Sequence, residues 1–367
     1  MDNLVFSNMT HRPARTAVSI IGIGIGVLLI IFTVGLANGS LRDKARREAN
    51  VGAEIMFNAS GTHGLSGSGS FRLPVSLKNE IERVEGVKMA VPIGQDTDSA
   101  KDNSFGTRLL DGIDFDAYAQ ISGLQVIEGR KFTDGADEVM TDTAWLPQKK
   151  LKIGDALKIY ERDFLIVGTY EPSAGARVKI PLSTMQRQLG AEGKASTILV
   201  KVKDGFTADQ VAQNLQAKFP DNQIIMTREL EEIYMQSIPA LNVFLNVVIG
   251  VAGGISALII LLTMFTTVTE RTRQIGILKS LGMSNAQIAW TIVQEAMLIS
   301  FCGTVLGVLL TVILKIILTK WTTLTVQIEP RIVLIVAIIG AFSGIVGALY
   351  PALRASKLDA VEALSYE

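Results

Sequence analysis

The sequence predicts an α-helical membrane protein with four transmembrane helices, carrying a water-soluble α+β domain between the first and second. Three observations lead there. Apolar residues make up 48% of the 367 positions and charged residues 19%, a balance shifted away from ordinary soluble domains. The excess is concentrated in four runs, Ala17 to Ala37, Val243 to Val268, Ile288 to Leu318 and Ile332 to Tyr350, and about 20 helical residues cross a hydrocarbon core. Between the first two runs, Ser40 to Pro239 carries its own turn signals and alternating patterns over about 200 residues, which is a domain and not a loop.

The elements follow in order. Residues 1–16 form an N-terminal segment and 17–38 the first span. A cleavable signal ending near Ala37-Asn38-Gly39 is the rival reading. Signal cores run to about 7–15 apolar residues, and this one is longer and rich in Ile and Gly, so an uncleaved anchor is expected.

The domain occupies 39–240, and its two ends mirror each other. Ala53 to Phe57 reads as a strand, Ser76 to just before Gly86 as a helix, and Val87 to Ile93 as a strand. Thr197 to Lys203, a helix opened by the capping box Thr207-Ala208-Asp209-Gln210 and running to Lys218, and Gln223 to Thr227 repeat that order. Two such βαβ units, over 50–95 and 193–228, make a ferredoxin-like lobe. Residues 96–192 read as a β-rich insertion, with Leu157 to Tyr160 and Phe164 to Val167 around a turn at Glu161-Arg162-Asp163. The Gly/Ser-rich Ser60 to Ser70 reads as a solvated loop.

The remaining spans are placed at 243–268, 286–318 and 331–350, followed by a tail over 351–367. Lys315 and Lys320 mark where the third run leaves the bilayer. Between spans two and three, residues 269–284 form an amphipathic connector. Ile275, Leu278 and Leu281 recur at helical spacing while Arg271, Arg273 and Lys279 stay polar, as expected of a helix lying on a membrane face. Gly282 is a suitable stop, and Ser284-Asn285-Ala286-Gln287 is a capping box that opens the third span after a sharp elbow.

Each span carries a GxxxG pair: Gly22/Gly26, Gly250/Gly254, Gly303/Gly307 and Gly340/Gly344. Lacking side chains, these positions let helix backbones approach closely. Intrachain packing is expected, with Gly22/Gly26 reserved for a second copy. Arg42, Lys44, Arg46 and Arg47 follow the first span, and Glu229, Glu231 and Glu232 precede the second; they are placed to meet as a paired stalk, the rival being a solvated surface. Glu295 stands in the apolar start of the third span and calls for a partner, expected to be a basic residue of the preceding helix.

Several chemistries are excluded or unsupported. Lys plus Arg and Asp plus Glu both number 35, giving no basic tract for nucleic acid. The single cysteine, Cys302, makes no intrachain disulfide, and His11 and His63 are too far apart in sequence to suggest a metal site. The loop Gly190 to Ser196 lacks the phosphate-loop spacing because Gln188 stands where glycine is required. Gly340-Ala341-Phe342-Ser343-Gly344 has one residue too many for a nucleophile elbow.

The connector and the chain end together resemble the MacB/FtsX-like ABC-transporter permeases of the type VII, mechanotransmission class. Family members carry E-R-T-R-E-I-G-I-L-K-A-L-G-A-S before the third span, and here it stands as Glu270 to Ser284 with Gln274, Ser280 and Met283 as departures. The family ending P-A-x-R-A-A-x-L-D-P-V-E-A-L-R appears from Pro351, through Arg354 and Ala355, to Leu364, with Ala360 in place of proline. The resemblance implies that Glu270, Arg271, Arg273, Gln274, Ile275, Gly276, Ile277, Leu278, Lys279, Leu281 and Gly282 form a coupling helix on a cytoplasmic ABC ATPase.

By the same resemblance, both termini are cytoplasmic, in a bacterial inner membrane. The soluble region becomes an extracytoplasmic domain with a porter-like lobe and a Sabre-like insertion, and two copies of the permease assemble. The chain would be non-catalytic and hold no cofactor, Mg-ATP being bound by the separate ATPase, for which this chain has no room. Export of a periplasmic cargo or extraction of a lipoprotein, with a periplasmic adaptor, is the implied task. Control of a cell-wall hydrolase and a nucleotide-independent anchored sensor are the alternatives.

Overall fold

The computed structural model describes residues 13–60, 71–99, 107–236, 239–322 and 324–358. The Gly/Ser-rich loop beyond Ser60 and the closing motif from Asp359 lie outside them. Two compact units emerge, one made of Met1–Gly39 with Pro239–Glu367, the other of Ser40–Ile238.

In chain order, α1 (Pro13–Ala49) is a single helix of 37 residues. There follow β1 (Ile55–Asn58), β2 (Leu73–Pro74), α2 (Leu77–Ile81), β3 (Val87–Ser99), β4 (Thr107–Ile113), α3 (Phe115–Ser122), β5 (Gln125–Gly129) and β6 (Glu138–Asp142). Next come α4 (Trp145–Lys149), β7 (Ala156–Ile159), β8 (Arg162–Glu171), β9 (Val178–Pro181), α5 (Leu182–Leu189), β10 (Lys194–Ala195), β11 (Thr197–Val202), α6 (Ala208–Lys218) and β12 (Gln223–Met226). The chain then runs through α7 (Leu230–Gln236), α8 (Pro239–Glu270), α9 (Thr272–Ser280), α10 (Asn285–Trp321) and α11 (Pro330–Ser356).

In the α/β unit the strand order at one end is β12-β1-β11-β3, the ferredoxin-like arrangement in which each half supplies two strands. Strand alternation explains both of its faces. Ile55, Phe57, Ile198 and Val200 point to one side, where Ile81 of α2 and Val211 and Leu215 of α6 cover them. Met56 and Leu199 point to the other, joining Ala45 of α1 and Leu230 and Tyr234 of α7. Helix α6 opens on the expected capping box, Thr207 and Gln210 each satisfying the other's backbone. Helix α2 stops at Ile81, short of the expected Gly86, and turns carry the chain onward.

The division into 50–95 and 96–192 does not mark a break between two sheets. Strand β3 pairs with β11 over Val87 to Ile93 and with β4 over Gly94 to Ser99, so the boundary falls inside one strand. A 10-stranded sheet continues as β4-β9-β6-β8-β5, with β7 on β8. The hairpin turn sits at Tyr160-Glu161, one residue before the expected place. Both residues have positive φ, 50° and 62°, and Ile159 faces Arg162, the geometry of a two-residue hairpin that follows strand twist.

In the helical unit, α1, α8, α10 and α11 are each long and apolar enough to span a membrane. Ile23, Val27, Ile30 and Ile31 of α1 are buried with Ala252, Ile260 and Met264 of α8, Ala296 and Ile299 of α10, and Ala348 and Ala352 of α11. This first helix is thus a core member of the bundle.

The glycine pairs divide unequally. A β-carbon on Gly303 would lie 2.7 Å from Ile23, and one on Gly307 would lie 2.6 Å from the Gly24 carbonyl oxygen, so α1 and α10 touch at backbone level. Gly340 and Gly344 face Ser300 and Thr304 of α10. Two expectations are corrected here. Gly22 and Gly26 meet Ile259 and Ser256 of α8 within the chain, leaving that face taken. Conversely, Gly250 and Gly254 have nothing within 4 Å; Gly253 and Gly347 make the closer contacts between α8 and α11. Helical phase decides this, since a one-residue step turns a side chain by about 100°.

Candidate functional site

The connector is shorter than predicted. Helix α8 ends at Glu270, the chain bends at Arg271, and α9 spans nine residues, about two and a half turns. Gly282 follows with φ +96°, a left-handed value that glycine tolerates best, and Ser284 and Gln287 form the capping box that opens α10.

Three charged contacts clamp this connector from behind. Arg15 of α1 makes a bidentate pair with Glu270, at 2.7 and 2.5 Å. Arg271 approaches Glu295 of α10 at 3.5 Å, with side chains 15% and 8% exposed, so the basic partner expected for Glu295 is present. Lys279 Nζ donates to the carbonyl oxygens of Ser356 and Leu358, at 2.9 and 2.6 Å. A lysine on the last carbonyls of a helix caps it and complements its dipole, so the two sequence motifs meet at one point.

This assigns the eleven connector residues to different places. Ile275 and Gly276 are buried, and Leu278 and Lys279 are half-buried. Arg273, Gln274, Ile277 and Leu281 are exposed, Leu281 by 78%. The expected apolar stripe is therefore corrected: Leu281 is the residue after α9 and points outward, where with Ile277 it makes a small apolar ridge beside Arg273. At the chain end, α11 continues through Pro351 to Ser356 where a tail was expected. Pro351 and Ala355 are buried, and the Arg354 guanidinium lies 4.9 Å from the Phe265 ring centre.

Within the α/β unit the stalk residues meet only in part. Arg42 on α1 pairs with Glu231 on α7 at 2.9 Å, and Lys44 lies over the Tyr234 ring at 5.0 Å. Arg47 turns instead to Asp43 and the Gly175 carbonyl. Arg46 is exposed, Glu229 half-buried, and Glu232 accepts from Gln236 on its own helix. Between these helices sits Glu48, 1% exposed. Burial pushes its carboxyl up to about 7, against the opposing pull of the Tyr234 hydroxyl, Lys44 and Arg47, while Asp111 adds to the rise.

A second buried group was missed by sequence reasoning. Lys179 Nζ is 2.9 Å from Asp111, both side chains 1% exposed, with the Tyr118 and Tyr170 ring centres at 4.6 and 5.3 Å. Asp111 also accepts from Gln95 and from the Ala176 backbone N–H. Burial lowers the lysine and raises both tyrosines, and the satisfied carboxylate makes the pair tolerable inside the unit. Among the described residues, no cluster of three metal-ligating side chains occurs.

The architecture thus defines a membrane protein with four long apolar helices, an α/β unit inserted in sequence after the first of them, and a clamped amphipathic elbow between the second and third. Residues 16–218 match the MacB-like periplasmic core domain, and residues 246–360 the FtsX-like permease C-terminal domain. The chain belongs to the MacB/FtsX family of ABC-transporter permeases. It is 23% identical to the macrolide export ATP-binding/permease protein MacB of Bdellovibrio bacteriovorus, over 99% of this chain and 61% of that protein. It is 24% identical to the ABC transporter permeases YknZ of Bacillus subtilis and MJ1507 of Methanocaldococcus jannaschii, covering 98% and 96% of those proteins and 99% of this one. The chain therefore spans about three-fifths of the MacB relative and nearly all of the other two. The crystal structure of the periplasmic region of MacB from Actinobacillus actinomycetemcomitans matches with a TM-score of 0.38 at 18% identity, over 50% of this chain and 95% of that one.

Proposed function

We propose that this chain is a non-catalytic permease subunit that couples ATP hydrolysis by a separate cytoplasmic ABC ATPase to movement of an extracytoplasmic α/β domain. The reading rests on one observation: α9 is held from behind by Arg271, Lys279 and buried Ile275, and presents Arg273, Gln274, Ile277 and Leu281 outward. A short rigid helix with a mixed apolar and cationic outer edge is suited to seat in a partner's groove. Mg-ATP belongs to that partner, and two permeases work as a pair. Both termini and the connector are cytoplasmic, and the α/β domain handles an exported cargo or a lipoprotein outside the bilayer.

Closure of the ATPase pair displaces α9. Because α8 and α10 adjoin it directly, the displacement passes to the bundle, whose glycine contacts fix one helix against the next.

Co-purification tests the docking surface. Arg273→Glu with Leu281→Asp is expected to reduce ATPase capture by on the order of tenfold or more, as for the loss of an interface anchor. Reversal at Arg271 is the less informative change, since it also strands Glu295. Unchanged capture, or labelling of a cysteine introduced at Ser280 by an impermeant reagent from outside the cell, sinks the proposal.

A further inference from the structure

Glu48 lies in the last turn of α1, within the α/β unit, at 1% exposure. Ala45, one turn earlier, packs with Leu230 and Tyr234 of α7, so the carboxyl is shut between the two helices. Among the described residues no cation donates to either of its oxygens. We propose that Glu48 is a proton-operated latch: protonated, it lets α7 seat against the end of α1, and ionised, it releases α7 from that seat.

The cations that face Glu48 are engaged with other groups. On α1, Lys44 lies over the Tyr234 ring, and Arg47 holds Asp43 and the Gly175 carbonyl. Arg177, just past Gly175, is bound to Asp43 and Asp142. Asp111 of β4 adds a like charge, and Lys179 of β9 sits on that aspartate at 2.9 Å. The other polar neighbours, Tyr234 of α7 and Tyr118 of α3, are phenols that burial keeps neutral. A carboxylate enclosed without a cation of its own is costly, and a proton or water relieves it.

Water reaches the carboxyl by the route that breaks fewest bonds, and that route is α7. Just before this helix, Thr227 is anchored to the sheet, its N–H donating to the Glu54 carbonyl at 3.0 Å and its hydroxyl to that of Ala53 at 2.8 Å. Beyond the anchor, the polar contacts of α7 with α1 are Arg42 with Glu231, 27% and 47% exposed, and Lys44 on the Tyr234 ring. The end of α1 is tied more firmly, to the loop after β8. Gly175 N–H donates to the Arg47 carbonyl at 2.7 Å, Asn50 to the Ser173 carbonyl at 3.3 Å, and Arg177 to Asp43 at 3.4 Å. Ionisation therefore swings α7 about the Thr227 anchor as a local opening, leaves α1 in place, and passes the proton to solvent. Seated, the carboxyl titrates at about 7, against an ordinary 4.5. Release accordingly grows as pH rises from about 4.5 and levels off above about 7, with the seated-to-released ratio falling by roughly 300-fold at most.

The latch lies in the α/β unit and does not depend on ATPase docking, so its failure leaves the preceding proposal standing. The test is pulsed electron–electron distance measurement on the full chain in detergent, carrying Cys302→Ser and nitroxide labels at Arg46→Cys on α1 and Glu232→Cys on α7. One short distance is expected at about pH 4.5, with a longer population growing as pH rises and reaching its plateau above about 7. Glu48→Gln, a neutral side chain of the same shape, should hold the short distance throughout. A second label pair, Arg46→Cys with Lys152→Cys in the same unit, should stay at one distance, which separates release of α7 from loosening of the whole unit. A wild-type distribution that does not change with pH, a response that survives Glu48→Gln, or equal shifts in both label pairs overturns the proposal.

Discussion

The two units of this chain solve the burial of polar groups in opposite ways. The α/β unit takes charge into its interior: Lys179 and Asp111 are as buried as the isoleucines around them, and Glu48 is enclosed between two helices. Among the described residues, the helical unit keeps its ion pairs at the elbow, Arg15 with Glu270 and Arg271 with Glu295, and joins its helices with neutral links. Ser19 meets Thr263 at 2.7 Å, and Ser300 donates to the Gly340 carbonyl at 2.6 Å. A soluble core has apolar area to spare for stabilising one well-solvated pair, whereas in lipid helix association depends on close backbone contact and small hydroxyls. The difference teaches where each unit is fragile: one at a few charges, the other at a few hydrogens on glycine.

The sharpest way to break the comparison is to strand a charge. Asp111→Ala leaves Lys179 buried without its anion, and loss of about 3–5 kcal/mol is expected; denaturant unfolding followed by hydrogen exchange in β4 and β9 measures it. A smaller loss would mean water reaches the pair.

Glu48 tests the same unit through pH. Its carboxyl keeps a proton up to about pH 7 when folded, against an ordinary value of 4.5. The folded chain therefore binds more protons between those values. This contribution to stability is fully present below pH 4.5, falls as pH rises through about 7, and is gone above it. The span corresponds to roughly 3 kcal/mol at most. Exchange protection of α7 should weaken across that window in the wild type, and Glu48→Gln should flatten the profile; identical profiles would show that Glu48 is solvated.

For the helical unit, Gly307→Leu forces a side chain into the Gly24 carbonyl and Val27, with a loss of about 1–3 kcal/mol expected from overpacking. Gly250→Ala meets nothing within 4 Å and should be neutral or slightly stabilising, because alanine favours helix. Thermal unfolding in detergent compares them, and equal effects would place the tight contact elsewhere.

Local signals made much of this legible. Apolar run length located the four long helices, the Thr207 and Ser284 capping boxes located two helix starts, and βαβ repetition gave the ferredoxin-like end. Glu295 announced a cationic partner because an ionised carboxylate in an apolar run is costly, and the preceding helix carries basic residues, of which Arg271 is the one that meets it. What stayed hidden depends on distance along the chain. Strand β3 could not be seen to serve two partners, since β11 and β4 lie on either side of it in space. Lys179 sits in a short Val-Lys-Ile-Pro strand, and nothing local points to Asp111. The glycine pairs show that a motif marks small residues but not the helix they face.

The bond from Lys279 to the end of α11 ties the connector to a third helix besides the two it joins in sequence. A tug on α9 is consequently shared, as by a yoke, between neighbours that the chain separates by some 77 positions. Replacing that lysine would unhitch the fourth span and let the elbow pivot alone.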